Sequence, residues 1–374
     1  MKYLRQLNLN QLRDKICLVR VDLNIETGRR DAFRLRAILP TIRFLINKGA
    51  KVIILSHRGR PKTQNYSAFS LKPFAKILSQ LLKKPVRFIN LNIRTSDVQI
   101  FLLENLRFFP GEEKNDKKFA KKLASLGDIY INDAFAVSHR HNASIVAITK
   151  FLPSYAGLLL EKEIKNLDSV MNPFNKTQGS HRVSRGVKGF RRPLVVILGG
   201  AKVSDKIGLI KNFLPDYFLI GGAMANAFFA IQGLPVGDSL YEKTRIDAKI
   251  TREITRKIIL PVDVVVYKRK ILDIGPETIK KYGEIIKKAK TIIWNGPLGM
   301  FEDKRFSKGT NAVATAVLKN KKAKIVIGGG ETIASLPLKP KTQNLKPNIF
   351  ISTGGGAMLE YLAGKKLPGL EALK

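Results

Sequence analysis

The sequence predicts an α/β protein with two parallel sheets covered by helices, and three observations carry that prediction. Apolar, β-branched runs alternate with helix-like segments along most of the 374 residues. Strands buried on both faces read as continuous apolar runs, and parallel neighbours need crossover helices between them. Four runs in the second half end in glycine clusters, LVVILGGAKVSDK (194–206), FLIGGAMA (218–225), IVIGGGET (325–332) and FISTGGGAM (350–358). The chain also exceeds the roughly 250–300 residues at which a single core stops growing, so two domains are expected.

Strand-like runs fall at 16–21, 51–55, 86–89, 100–103 and 129–131, with helix-like segments at 35–48, 71–82 and 115–126. A second series places strands at 194–198, 217–220, 262–267, 291–294, 324–327 and 349–352. Helices are expected between them at 203–213, 222–232, 245–258, 277–288, 309–319 and 355–363. The series breaks once, at YAGLLLEKEIKNLDSVM (155–171), where Leu158, Leu159, Ile164, Leu167 and Val170 recur at helical spacing. This segment is read as an interdomain hinge helix between a first domain at 1–154 and a second that begins at 172. The stretch 172–193 holds six Lys or Arg, three Gly and no acid, the composition of a surface connector.

Composition excludes several classes. No apolar run reaches the roughly 18 residues of a membrane span, and the start MKYLRQLNLNQLRDK lacks an apolar h-region. One cysteine, Cys17, and four histidines without ligand spacing argue against disulfides and a structural zinc site. These features fit a cytoplasmic protein. The charge is extreme, with 67 Lys and Arg against 29 Asp and Glu, formally +38. It has two readings: a nucleic-acid or anionic-surface binder, or a general basic bias on solvated helix faces. The cations spread through nearly every helix without an aromatic-interleaved patch, which favours the second. Weak, non-specific RNA binding is the most that charge implies.

In open α/β sheets, ligands sit outside the carboxyl ends of the strands. There the first half presents Asp22 and Asn24 (VRVDLN), His57 and Arg60 (ILSHRGRP), Arg107 (LLENLRF) and Arg140 (INDAFAVSHR), with Arg34 (DAFRLRA) opening the first helix. Singly, each has a plain explanation: a solvated arginine, a turn-capping aspartate, a core histidine. Converging on one crevice, they suit a small hydroxylated, phosphorylated acid, because arginine's planar fork meets phosphate and carboxylate bidentately.

The second half presents Lys202 and Lys206, one helical turn apart after the GG of GGAKVSDK. Glycine turns that lead into helix starts bring backbone N–H groups up to phosphate, and the two lysines would meet a triphosphate there. Neither a Walker GxxxxGK[ST] nor a GxGxxG fingerprint is present. Glu302 in WNGPLGMFE is placed to accept from ribose hydroxyls, and Glu331 after GGG is the candidate Mg2+ ligand. Two anion sites on two halves point to phosphoryl transfer between two bound molecules.

VRVDLN, SHRGRP, LLENLRF, NDAF with SHR, GGAKVSDKI, WNGP, GGGET and STGGGA, in this order, resemble the phosphoglycerate kinase family, and the match runs to the terminal LPGLEAL. The resemblance implies two Rossmann-like domains, the second at 172–352, and a segment 353–374 that returns to the first. It implies reversible transfer between 1,3-bisphosphoglycerate with ADP and 3-phosphoglycerate with ATP, Mg2+, and a monomer. Asp22, Asn24, His57, Arg60, Arg107 and Arg140 match the family's 3-phosphoglycerate site, and Arg34 the arginine on the transferring phosphoryl. Lys202 and Lys206 match its phosphate lysines, Asn295 a nucleotide-phosphate contact and Glu302 the ribose contact. Thr332 and the amides of Gly329 and Gly330 match the phosphate-facing helix start. Gly199, Gly200, Gly221 and Gly222 match the adenine cleft.

The chain departs from the family pattern in places. Glu331 stands where aspartate is usual, Ala136 replaces a glycine, and 172–193 resembles an insertion. The segments before LLENLRF, after VDLN and before LDIGP are short. The alternative to an active kinase is a basic scaffold, binding RNA or an anionic surface and retaining the fold with weak catalysis.

Overall fold

The computed structural model describes residues 1–25, 32–61, 66–91, 98–171, 189–201, 206, 214–242, 252–337 and 346–374. The chain divides into two compact units, Met1–Lys165 with Lys366–Lys374, and Asn166–Lys365.

The first unit is built on six parallel strands, β1 (Ile16–Arg20), β2 (Lys51–Leu55), β3 (Val86–Ile89), β4 (Ile100–Leu103), β5 (Ile129–Asn132) and β6 (Ser154–Ala156), in the order β3-β4-β2-β1-β5-β6. Alternate residues of each strand enter different cores, which is why these runs are apolar throughout. Cys17, Val19, Val52, Ile54, Ile100, Leu102, Ile129 and Ile131 pack on one face, beneath the helices Ala32–Asn47 and Lys72–Leu82. Leu18, Ile53, Leu55, Phe101, Leu103 and Tyr130 pack on the other, with Leu123 and Ala124 of the helix Lys117–Ala124. The short β6 escaped the sequence reading, because three residues carry no periodicity.

The second unit repeats the plan. β7 (Leu194–Leu198), β8 (Tyr217–Ile220), β9 (Ile258–Ile259), β12 (Thr291–Asn295), β13 (Lys324–Gly328) and β14 (Ile349–Ser352) lie parallel in the order β14-β13-β12-β7-β8-β9. One expectation fails here. The 262–267 run is no strand of this sheet: β10 (Val264–Tyr267) pairs antiparallel with β11 (Lys270–Ile274) in a separate two-stranded ribbon. The sheet ends instead at β9. Lys268 and Arg269 take φ of 45° and 60°, the two left-handed residues of a tight hairpin turn. Val266 and Tyr267 are 58% and 41% exposed, so this apolar run never enters a two-faced core.

The helices Gly222–Ile231, Pro276–Lys288, Lys308–Lys319 and Gly356–Leu362 appear within a few residues of expectation. The expected helix 203–213 lies outside the described residues except Lys206, as do 245–251 of the expected helix 245–258, whose second half forms the helix Arg252–Lys257 and leads into β9, and most of the basic stretch, at 172–188.

The helix Leu158–Met171 begins where the sequence places the interdomain segment, and the boundary between the two units falls inside it. Its start is held by Asp133, whose Oδ1 accepts from the amides of Leu159 and Leu160 at 2.9 and 3.1 Å. Thr41 Oγ1 accepts from Leu158 N at 3.0 Å. Burial pushes the Asp133 carboxyl up to about 6, and the Thr41 hydroxyl and the two amides only partly offset that. The C-terminal segment docks on the first unit through Gly369, whose N donates to Ser138 O at 2.8 Å.

Candidate active site

In each sheet the chain runs to one side of its first strand and then returns to the other. The crevices this reversal opens lie between β1 and β5, and between β7 and β12. The candidate residues gather at the carboxyl ends of these strands and their neighbours.

In the first unit, Asp22 does two jobs. Its Oδ1 accepts from Asn24 N at 3.0 Å, the turn contact read from sequence, and its Oδ2 pairs with Arg34 Nη1 at 3.3 Å. Asn24 Oδ1 in turn accepts from Gly59 N at 2.8 Å, so the loops after β1 and β2 are joined. Ser56 adds a second tie, donating to Val21 O and accepting from Leu23 N. Arg107 Nη1 donates to Gly59 O, and its Nε faces Glu113 Oε1 at 3.4 Å, an ion pair. Arg60 is exposed, while Arg34, Arg107 and Arg140 are partly buried.

The electrostatics follow from crowding cations. Burial, then Arg140, lowers the Arg107 guanidinium to about 10; burial, then Arg60, lowers Arg140 as well. Burial drives His57 well below 6.5, reinforced by Arg20, Arg107, Arg140 and Arg34, so the ring is neutral at physiological pH. The structure thus brings Asp22, Asn24, Arg34, His57, Arg107 and Arg140 into one mutually interacting group, with Arg60 at its edge.

Sequence reading missed three residues behind that group. Asn105 is fully buried; its Oδ1 accepts from Arg58 N and Arg107 N, both at 3.1 Å, and its amide donates to Arg58 O and Phe69 O. It therefore holds the loop after β2 to the turn that carries Arg107. Arg20 ends β1, 2% exposed, and Ser144 lies beneath it. In sequence, ENLR showed the asparagine beside Arg107, but no spacing rule joins Arg20 to Ser144.

In the second unit, the turns after β7, β8 and β12 are stitched together by backbone hydrogen bonds. Gly199 N donates to Asn295 O at 3.1 Å and Gly200 N to Pro297 O at 2.8 Å, while Gly222 N donates to Leu298 O at 2.9 Å. Asn295 Nδ2 donates to Gly328 O at 2.8 Å. Gly329 caps the helix Gly330–Ser335 at φ 98°, and a Cβ there would lie 2.7 Å from Asn295 Nδ2, so only glycine fits. Thr332 is fully buried, and its hydroxyl accepts from Gly296 N at 2.6 Å. It ties the helix start to the loop after β12, a positioning contact absent from the sequence reading. Lys206 Nζ donates to Gly199 O, which sets its cation beside the diglycine turn. Lys202 lies outside the described residues.

A cleft of about 650 Å³ opens over these turns, lined by Gly200, Gly222, Asn226, Leu298, Glu302 and Glu331 among others. A Cβ at Gly200 would stand 3.3 Å from Glu331 Oε2 and 3.5 Å from Lys206 Nζ, so carboxylate and ammonium flank one turn. Asp273 of β11 supports the far wall. Burial pushes its carboxyl up to about 6, and it accepts from Gly309 N at 2.7 Å. Met300 N donates to Leu272 O, so the misread hairpin also holds the loop that carries Glu302.

Known proteins resemble this chain from end to end. The sequence profile of the phosphoglycerate kinase family matches residues 7–365. The phosphoglycerate kinase of Desulforapulum autotrophicum is 44% identical over 414 aligned positions, covering 100% of both chains. That of Finegoldia magna is 42% identical over 413, covering 100% of this chain and 98% of its own. These alignments exceed the 374 residues present, so the relatives carry segments this chain lacks, in keeping with its short loops. Among solved structures, the Pyrococcus horikoshii phosphoglycerate kinase superposes with a TM-score of 0.80 at 34% identity, covering 100% of this chain and 98% of that one. The Coxiella burnetii phosphoglycerate kinase gives 0.72 at 36%, covering 99% and 98%. None of these relatives supports the basic-scaffold reading. End-to-end likeness in both sequence and fold places this chain in the phosphoglycerate kinase family.

Proposed function

We propose that the two anion sites divide the family's reaction between them, the first unit holding 3-phosphoglycerate or 1,3-bisphosphoglycerate and the second ADP or ATP. One observation carries the first assignment. Arg34 Nε, His57 Nε2 and Arg140 Nε are buried without a hydrogen-bond partner. A buried donor left unpaired costs about 1–3 kcal/mol, and the two guanidinium Nε atoms always carry a hydrogen, so an oxygen-rich anion is what satisfies them. Asp22 and Asn24 supply the acceptor and amide that a hydroxyl on the same molecule needs. Arg60 and Arg140 meet the stationary phosphate; Arg34, held by Asp22 and by Asn24 O, meets the phosphoryl in transfer.

On the second unit Gly199, Gly200, Gly221 and Gly222 line the adenine cleft, Glu302 accepts from ribose, and Lys202, Lys206, Asn295 and the Gly329–Gly330 turn face the phosphates. Thr332 joins them, its hydroxyl oxygen holding Gly296 N while its proton stays available to a phosphate oxygen. Among the described residues no three His, Cys, Asp or Glu side chains form a metal cage. Glu331 fits Mg2+ as a single carboxylate ligand, the rest coming from nucleotide phosphates and water. Bound there, the ion would neutralise phosphate charge.

The chain's own groups do the rest by position and charge. The acceptor is already an ionised carboxylate or ADP oxygen, so no general base is required. Arg34 on one ligand and Lys202 on the other would neutralise the equatorial oxygens as charge spreads over them. The 155–171 segment serves as hinge, and closure excludes water from the transfer. A monomer working in the cytoplasm fits the reading, and no described helix is long and apolar enough to cross a membrane. Titration calorimetry with 3-phosphoglycerate tests the first site: binding should weaken strongly in Arg140→Ala, and unchanged affinity would remove that residue from the assignment.

A further inference from the structure

We propose that Glu112, Ser144 and Arg20 form a positioning chain that holds the His57 ring with its proton on Nε2, ready to donate to the anion bound among the arginines. The inference rests on the first-unit assignment above for the identity of that anion, but the chain itself is read from ligand-free geometry.

The direction of each proton follows from the donors available. Glu112 is fully buried in the one-turn helix Pro110–Glu113, just before the helix Lys117–Ala124. Its carboxylate accepts from Ser144 N at 3.0 Å and from Ser144 Oγ at 2.6 Å. Tyr130 OH donates to Ser144 O at 2.6 Å, so Ser144 is fixed from three sides. A hydroxyl has one proton, and this one is committed to Glu112, so Ser144 Oγ offers only lone pairs to its other neighbour. That neighbour is Arg20, whose Nε donates to it at 2.9 Å. Arg20 Nη1 donates to Val21 O, which completes the orientation of the fork. Its Nη2 then lies 3.1 Å from His57 Nδ1.

Arginine has five donors and no acceptor, so Nδ1 must be the unprotonated nitrogen. The ring is neutral, since burial and the charges of Arg20, Arg107, Arg140 and Arg34 all oppose a further proton. A neutral ring that accepts at Nδ1 carries its hydrogen on Nε2. That atom is buried without a protein partner. The arrangement gives a cation-crowded site one directional donor that adds no charge. It also gives the buried arginine that ends β1 a counter-charge, the Glu112 carboxylate one hydroxyl away.

The test is nitrogen-15 NMR of the imidazoles in the intact protein, with steady-state kinetics on the same variants. In the parent, His57 should show its proton on Nε2, stay neutral well below the usual imidazole midpoint, and shift at Nε2 when 3-phosphoglycerate is added. Arg20→Met should release the ring to exchange between tautomers and raise KM for 3-phosphoglycerate about tenfold to a hundredfold, the worth of a hydrogen bond to a charged group, with kcat nearly kept. Arg20→Lys, which keeps a donor, should restore the tautomer in part. Ser144→Ala, a milder cut in the same chain, should move the same readouts in the same direction if Arg20→Met fails to fold. A parent ring protonated on Nδ1, or an Arg20→Met protein with unchanged tautomer and KM, would overturn the proposal. A locked ring whose Nε2 signal ignores 3-phosphoglycerate, in a protein that makes ATP, would overturn the donation while leaving the function standing. A folded protein that makes no ATP would overturn the function instead, and the ligand-free spectrum would still decide the chain.

Discussion

Asp133→Asn should remove a pH-dependent part of the stability. Asp133 sits fully buried at the start of the helix Leu158–Met171, with its carboxyl raised from 3.8 to about 6 by burial. A raised carboxyl pKa means the folded state holds its proton longer than the unfolded chain does. The stabilisation is therefore complete below about pH 4 and is lost as pH rises through 6. The gap of about 2 pK units corresponds to about 3 kcal/mol at about 1.4 kcal/mol per unit. Asparagine keeps the oxygen that accepts from Leu159 and Leu160 but cannot titrate. Urea unfolding of both proteins, followed by circular dichroism between about pH 4 and pH 7.5, isolates the effect, since every other titrating group is common to the two. The parent's advantage over the variant should shrink by about 3 kcal/mol across that window and stay flat above pH 7. A constant difference, or one that grows with pH, would show that the helix amides, not burial, govern this carboxyl.

Other residues give sharper kinetic contrasts. Arg34→Ala should lower kcat by about 10^3, the scale of losing a charge on a transferring phosphoryl, whereas Arg140→Ala should act through KM; an Arg34 variant with parental kcat would remove it from the reaction centre. Glu331→Ala should raise the Mg2+ concentration needed for half-maximal rate, and Glu331→Asp should not, because a hard cation needs an oxygen ligand at that point; an unchanged Mg2+ dependence in the alanine variant would assign the ion elsewhere. Replacing Lys268 and Arg269 by Asn-Gly should stabilise the second unit by about 1–2 kcal/mol, since two side-chain-bearing residues there hold positive φ, and a lowered melting temperature would contradict the turn.

The parts of this protein legible in its sequence are those written locally. β1, β2, β4, β7, β12 and β13 are apolar runs buried on both faces, and such runs announce themselves without partners. The glycine turns were equally plain, because a chain that bends sharply after a strand needs residues without Cβ. What stayed hidden depends on distance along the chain. Arg20 and Ser144 meet across 124 residues, and nothing near either points to the other. Val264–Tyr267 looked like a sheet strand because periodicity cannot separate a two-faced strand from an exposed hairpin, and Lys268–Arg269 is not a usual hairpin signal. Thr332 sat in a phosphate-facing motif, and only the fold reveals that its hydroxyl oxygen also accepts from Gly296 N.

The central claim is that two separate anion sites on this chain together transfer a phosphoryl group. Its most direct test is ATP formation from 1,3-bisphosphoglycerate and ADP by the purified protein, followed in a coupled assay beside Arg34→Ala. The account predicts Mg2+-dependent ATP formation in the parent, with a rate about 10^3 lower in the variant while 3-phosphoglycerate still binds. A folded parent that forms no ATP above the enzyme-free control would contradict it.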